Sequence, residues 1–409
     1  MNASSSPSSS SSSAISITNT TTSGSKDGVH IPVEIVSEDE MAFLEAALAS
    51  TRPLLSSSPC SLSSPASSSS SRFALLSARP SLLCGSPVRK SSTRPQSLST
   101  TLDIEDPVPP RPSLFARFRS RRGLSVTDIT ATEWCEKQME FVLLHGKPKR
   151  TEAMEAGCER HSQLEKEVLE KVELHTESVE DYWAIKLMNF IAGAHQLLFE
   201  GLTREIPVVG VIEGIWMVGV IDEIRMPGDG YGDTACPLLV DIKTRYKATG
   251  PSEAQKRNAR LQLMSYKYLW DNLVTVNFPI DQFFHHFKLN RQYTLSRDVK
   301  KFIDSFGFDI KTLEDVLTYF QDTCCLLSPC HDQLLLRYEL QSDQSLLEEC
   351  YISYDSSWFQ QRIRKCLEFW LGDREADFVS EGEQWKCRFC AFASVCPLSA
   401  TTSSKRART

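Results

Sequence analysis

The chain has 409 residues, with 45 Lys and Arg against 52 Asp and Glu, and a formal charge of −7. That length allows two or three domains, and 41% hydrophobic residues suffice for a sizeable core. No apolar run approaches the roughly 18 residues of a membrane span, which excludes an integral membrane protein. The acidic total also excludes the globally basic footprint usual in nucleic-acid binders, so any such contact rests on local patches.

Residues 1–25 are a Ser/Thr tract too polar to bury a core. Residues 34–49 predict a short amphipathic helix, capped by Ser37 with Glu40 three residues on, and with Met41, Phe43, Leu44, Ala47 and Leu48 in one stripe. A helix of this kind suits a protein partner, docking on the chain's own core being the equal alternative. Residues 50–122 are rich in Ser, Pro and Arg and read as linker, ending in Arg117, Arg119, Arg121 and Arg122. Residues 1–122 are therefore expected to be disordered apart from that helix. The folded body is expected over 123–397, with a disordered basic tail at 398–409.

Within the body, helices are predicted at 125–144 (cap Ser125 or Thr127), 151–175 and 179–199. A hairpin follows at 204–212 and 215–225 around Glu213-Gly214, then a turn at 226–233 and a strand at 237–244. A long helix is predicted at 252–273, a strand at 281–289, helices at 297–304 and 310–322, strands at 333–341 and 349–354, and a helix at 355–371. This order implies an α/β fold, with a mixed sheet flanked by helices.

The informative spacing is Gly219-Val-Ile-Asp222, then Asp241-Ile-Lys243. Residues two apart on a strand share a face, so Asp241 and Lys243 project together while Leu238, Val240 and Ile242 point the other way. Two carboxylates brought close by sheet pairing repel unless a cation neutralises them. A Mg²⁺ takes one or two carboxylates and leaves its other positions to water and phosphate oxygens. Lys243 is then placed to hold the attacking water or the developing charge. The bland alternative, a solvent-face charge pair, fits poorly with strands so dense in Val, Ile and Leu. Gly157-x3-His161 and Gln262-x3-Tyr266 each put two residues one helical turn apart.

Taken in this order, Gly157-x3-His161, Gly219-x2-Asp222, Asp241-x-Lys243 and Gln262-x3-Tyr266 resemble the motifs of RecB-type nucleases of the PD-(D/E)XK superfamily. The resemblance covers roughly residues 123–397 and implies a restriction-endonuclease-like fold. It also implies a Mg²⁺ (or Mn²⁺) held by His161, Asp222, Asp241 and the carbonyl after Asp241. Lys243 would assist catalysis, and Gln262 and Tyr266 would shape the site and approach the DNA backbone. Ile221 stands where the superfamily name has Pro, a departure common among RecB-like members.

There are 13 cysteines, an odd number in a long chain without a visible signal peptide, which favours a reducing compartment. Cys60, Cys84, Cys158, Cys236, Cys350 and Cys366 read as buried small hydrophobes. Cys387-x2-Cys390-x5-Cys396-Pro397 has metal-ligand spacing but is one ligand short of four. Cys135 is a candidate for the fourth; Cys324, Cys325, Cys330 and His331 compete, and zinc is the alternative metal. Here the chain resembles the exonuclease V family, RecB-like nucleases with one Cys before the nuclease core and three after it. That resemblance implies a four-iron, four-sulfur cluster on Cys135, Cys387, Cys390 and Cys396. The segments Asp181-Tyr-Trp183-Ala-Ile-Lys186 and Arg204-Glu205-x-Pro207-Val208 carry it further.

Between 243 and 260 lies a local basic patch including Arg245, Lys247, Lys256, Arg257 and Arg260, expected to contact DNA phosphates, with Tyr246, Tyr266 and Tyr268 nearby to stack unpaired bases. The expected protein is thus a monomeric, Mg²⁺-dependent exonuclease of single-stranded DNA, the family implying a role in DNA repair. A non-catalytic, cluster-bearing DNA-binding or scaffold protein is the rival, disfavoured by the four intact catalytic positions. The expected location is the nucleus, the cytoplasm included. The alternative is chloroplast or mitochondrion, because a start at Met41 would leave a Ser- and Arg-rich, acid-poor leader.

Overall fold

The computed structural model describes residues 74–80, 112–168, 170–227, 236–275 and 278–398. The Ser/Thr tract, the helix expected at 34–49, most of the 50–122 stretch, most of the turn expected at 226–233 (all but its first two residues) and the tail beyond Leu398 lie outside them.

The folded body starts before the expected linker ends. Ser113 caps a short helix, α1 (Leu114–Phe118), and the chain then enters β2 (Leu124–Ser125) and α2 (Val126–Trp134). Arg119 and Arg122, expected in the linker, instead donate to the buried carboxylate of Asp128 at 2.9 and 3.2 Å. Asp128 also completes the capping box of α2 with Ser125. Burial alone would raise its pKa, but the two guanidinium groups outweigh it and hold it below the usual carboxylate range.

Two segments predicted as single helices are divided. Cys135 is extended (φ −169°), ends α2, and caps α3 (Glu136–His145) by accepting from the Gln138 amide on its sulfur. The helix expected at 151–175 stops at Val168 as α4 (Glu152–Val168). The alternating Glu170–Thr176 becomes a strand, β3, paired in parallel with β1 (Ala74–Pro80). The strand expected at 281–289 is a helix, α7 (Ile280–Phe287). Aromatic content suggests a strand there. Phe283 and Phe287 lie one turn apart, however, with rings 5.1 Å from each other, and both meet Trp183 and Trp216 edge-on or tilted; in a strand they would share a face but stand about 13 Å apart, too far to meet the same two rings.

The remaining elements follow the expected order: α5 (Val179–Glu200), the hairpin β4 (Leu202–Ile212) and β5 (Ile215–Arg225), β6 (Leu238–Arg245) and α6 (Glu253–Thr275). After α7 come α8 (Arg297–Ser305), α9 (Leu313–Cys324), β7 (Gln333–Leu340), β8 (Leu346–Ser353), α10 (Ser356–Leu371) and a 3-10 helix at Glu381–Phe389. The main sheet runs β2-β5-β6-β7-β8, with β4 along the other edge of β5. β6 and β7 are parallel and the hairpins antiparallel, so the sheet is mixed, as expected. The principal core holds Trp183 and Phe190 of α5, Trp270 of α6 and Phe320 of α9. A smaller one is made by Leu164, Val240, Ile242 and Leu335. Among the described residues no helix is long and apolar enough to cross a membrane.

Gly219 of β5 shows why a side chain is absent there. A Cβ would stand 2.7 Å from the ring of Tyr266 and 3.0 Å from Val126. The Tyr266 ring is buried and cannot swing away. Gly219→Ala should therefore lower stability by about 1–3 kcal/mol through overpacking, read from the midpoint of urea unfolding. An unchanged midpoint would show that the Tyr266 helix is not seated against β5.

Candidate active site

The site forms where a strand edge is left open. β4 occupies one edge of β5. On the other, β2 pairs only at Met217 and Val218, and β6 only from Glu223 to Arg225. The stretch Gly219–Asp222 lies between those two ladders. Because Glu223 pairs with Val240, the next step of the register sets Asp222 opposite Asp241, where β5 and β6 part. The Ile242 amide then donates to the Asp222 carboxylate at 3.3 Å, in place of a ladder bond.

Helix α4 delivers His161 to this opening. Leu164 packs into the small core beside Val240 and Ile242. One turn before His161, Gly157 lies against Thr244, where a Cβ would come within 3.2 Å of the hydroxyl. Arg204 anchors the end of α4, donating to the Leu164 carbonyl at 2.7 Å and to Glu223 at 2.9 Å. His161 Nε2 thereby reaches the Ile242 carbonyl at 3.1 Å, with Nδ1 at 3.4 Å from Glu205 and 4.0 Å from Asp222.

The two-residue spacing on β6 works as expected: Lys243 Nζ donates to Asp241 Oδ1 at 2.8 Å. The second Asp241 oxygen is buried without a hydrogen-bond donor. Burial raises the pKa of Asp241, Lys243 opposes the rise and Asp222 adds to it, and the carboxyl is pushed up to about 7. Burial would lower His161, but Asp222 and Glu205 outweigh it and keep the imidazole protonated up to about 9. Lys243 is held above its ordinary range because Asp241 and Asp222 outweigh its burial.

These residues suit a small divalent cation. The one set of three potential ligand atoms lying within 4.8 Å of one another, among the described residues, is His161, Glu205 and Asp222. Asp241 falls outside that set but offers its unpartnered oxygen. The 3.1 Å between His161 Nε2 and the Ile242 carbonyl matches one edge of an octahedron. Bonds of about 2.1 Å give an edge of about 3 Å. Sequence spacing does not mark Glu205 as a site residue, because it is one Glu in a hairpin strand. The Arg204-Glu205-x-Pro207 segment was the only signal.

The other expected residues divide. Tyr266 is buried beneath β5 and Gln262 stands one turn away, its amide at 3.4 Å from the Tyr266 hydroxyl. Tyr266 is thus part of the wall, where contact with the DNA backbone was expected. Of the basic patch, Lys247 is exposed and Arg245 is half-buried, reaching Gln255. Lys256 is paired with Glu348, Arg257 with Glu133 and Glu383, and Arg260 with Asp355 while stacked on Trp358.

The four cysteines Cys135, Cys387, Cys390 and Cys396 line one pocket, which Cys324, Cys325, Cys330 and His331 do not share. Burial first, then the neighbouring sulfurs, raises the thiols of Cys135 and Cys387. Thiolates so gathered are stable only on a cation, so the donor set fits a metal group. The sulfurs are not drawn into a zinc tetrahedron: no three of them fall within 4.8 Å of one another. On zinc they would lie about 3.8 Å apart. Of the cysteines read as buried, Cys366 is so, whereas Cys158, Cys236 and Cys350 are half-buried; Cys60 and Cys84 lie outside the described residues.

In the metal-free chain the Asp241 and His161 shifts have the same sign. Both make the folded state hold its proton more tightly than the unfolded one. Stability is therefore lost with rising pH, from 3.8 through about 7 for Asp241 and from 6.5 through about 9 for His161. With chelator present, the melting temperature should fall between roughly pH 6 and pH 9. Asp241→Asn should flatten the lower part of that fall, and added Mg²⁺ should reverse most of it by replacing the protons. A wild-type profile that does not fall would contradict the electrostatics described.

A family model described as "Exonuclease V - a 5' deoxyribonuclease" matches residues 113–230, 233–323 and 311–397. The chain is 31% identical over 289 residues to Exonuclease V of Danio rerio, covering 69% of this chain and 72% of that protein. Among solved structures it is similar to a putative exonuclease from Eubacterium rectale, at 10% identity and a TM-score of 0.32, over 70% of this chain and 94% of that one. A score that low carries no weight for function.

Proposed function

Because the chain belongs to the exonuclease V family of 5′ deoxyribonucleases, we propose that it is a metal-dependent exonuclease of single-stranded DNA acting in genome maintenance. The observation that carries this reading is the opening between β5 and β6, where His161, Asp222, Asp241 and the Ile242 carbonyl converge beside an ammonium group. These groups would hold Mg²⁺ or Mn²⁺. When bound, the cation lowers the pKa of a water and stabilises charge on the scissile phosphate.

The chain's own residues do the rest. Lys243 stays protonated beside Asp241 and is placed to hold the attacking water or the negative charge that develops on phosphate. Asp241, whose carboxyl is pushed up to about 7, would serve as a ligand in its ionised form. Tyr266 and Gln262 support the β5 wall. Lys247 and Tyr246, both exposed at the end of β6, offer a phosphate contact and a stacking face, with Arg245 beside them. Lys256, Arg257 and Arg260 already have carboxylate partners and rank below these two cations.

The four cysteines would hold a four-iron, four-sulfur cluster that staples α3 to the last segment. Arg257 of α6 supports this by joining Glu133, two residues before Cys135, to Glu383, four residues before Cys387.

End-labelled DNA tests the reading. Linear single strands should be digested in Mg²⁺ without ATP and spared in chelator, blunt duplex should be poorly attacked, and closed single-stranded circles should resist. Asp222→Ala and Lys243→Ala should each lose several orders of magnitude in rate while keeping the fold and most of the single-strand binding. Rapid cutting of circles would remove the exonuclease threading model, and a variant within threefold of wild type would remove the site.

Cys390→Ala tests the cluster separately. It should lose iron, soluble yield and DNA binding together, because metal binding here is folding energy. An iron-free variant of wild-type stability, or stoichiometric zinc in the wild type, would overturn the cluster.

A further inference from the structure

Glu205 departs from its strand. It has φ +53°, a left-handed conformation that non-glycine residues avoid. The β4–β5 register runs Arg204 with Glu223 and then Ile206 with Ile221, so Glu205 and Asp222 face each other across a gap in the ladder. Such backbone persists only where surrounding structure holds it. Here Arg204 is tied to α4 and β5, and Ile206 is locked in the core. The effect is to turn the Glu205 carboxylate, 12% exposed, toward His161 Nδ1 at 3.4 Å.

The two imidazole nitrogens then have different tasks. Nδ1 faces Glu205 at 3.4 Å, with Asp222 farther off at 4.0 Å, and Nε2 faces the Ile242 carbonyl at 3.1 Å. A carboxylate that accepts from one ring nitrogen fixes the tautomer and raises the basicity of the other. We infer that Glu205 is a positioning residue that holds His161 by Nδ1–H and reserves Nε2 for a divalent cation. This rests on the proposal that the site binds such a cation, and it adds a residue outside the four motifs.

The experiment is Mn²⁺ titration of the full chain, followed by the electron paramagnetic resonance of free Mn²⁺, with melting temperature as the control for folding. Glu205→Ala should weaken Mn²⁺ binding about 10- to 100-fold. Glu205→Gln keeps an oxygen that accepts from Nδ1–H, and should stay within about fivefold of wild type on the same scale. Should Glu205→Ala fail to fold, the isosteric Gln variant still decides. Wild-type affinity in folded Glu205→Ala would overturn the inference. A loss in Glu205→Gln equal to that in His161→Ala would overturn it too, making Glu205 a ligand through its charge. His161→Ala itself should lose binding, and wild-type affinity there would instead bring down the cation site and this inference with it.

Discussion

Two carboxylates facing each other in a buried gap repel, and only positive charge makes the arrangement tenable. Asp222 and Asp241 meet in this way where β5 and β6 part, and Glu205 brings a third carboxylate. The protein supplies Lys243 and protonated His161, leaving one acid in excess, and Asp241 answers by holding a proton at higher pH than a carboxylate normally would. The surrounding structure keeps this imbalance from relaxing. Leu164 and Gly157 seat α4 on β6, Arg204 clips the end of α4, and the open edge of β5 leaves Asp222 accepting from the Ile242 amide beside Asp241. A fold that strains toward cation binding pre-arranges its ligands, so little reorganisation remains when charge develops on a phosphate.

The same economy runs through the cysteine pocket. Burial first, then the neighbouring sulfurs, discourages ionisation of the Cys135 and Cys387 thiols until a cation takes the charge. Arg257 carries the consequence into the nuclease body. It bonds carboxylates flanking Cys135 and Cys387 from the helix that bears Gln262 and Tyr266. Tyr266 in turn lies on Gly219, three residues before Asp222. A chain of packed and charge-paired contacts thus connects the two candidate metal sites. It explains why a cation of the basic patch is better read as a strut than as a phosphate contact.

Much of the site is legible because its spacing is local. Asp241 and Lys243 share a strand face by period two, and Gly157 and His161 share a helix face by one turn, so their side chains meet their neighbours as expected. Errors arise where a residue's partner is distant in sequence. Phe283 and Phe287 look β-forming until Trp183 and Trp216 supply a surface for one helical face. Arg119 and Arg122 look like linker cations until Asp128 is seen to bury them. The break at Cys135 follows from a sulfur that caps one helix while facing cysteines at the far end of the chain.

The sequence by itself determined the mixed α/β order, the acidic pair with its lysine, the histidine one turn from a glycine, and the cysteine spacing. Each is a periodicity or a short-range pattern that the backbone must obey whatever surrounds it. Only the tertiary structure decided that the β5 edge stays open at Asp222, that Glu205 turns out of its strand toward His161, and that three cations of the basic patch are already paired. Those features depend on registers and charge pairs between segments far apart in the chain, and no local pattern encodes which distant carboxylate a given cation will meet.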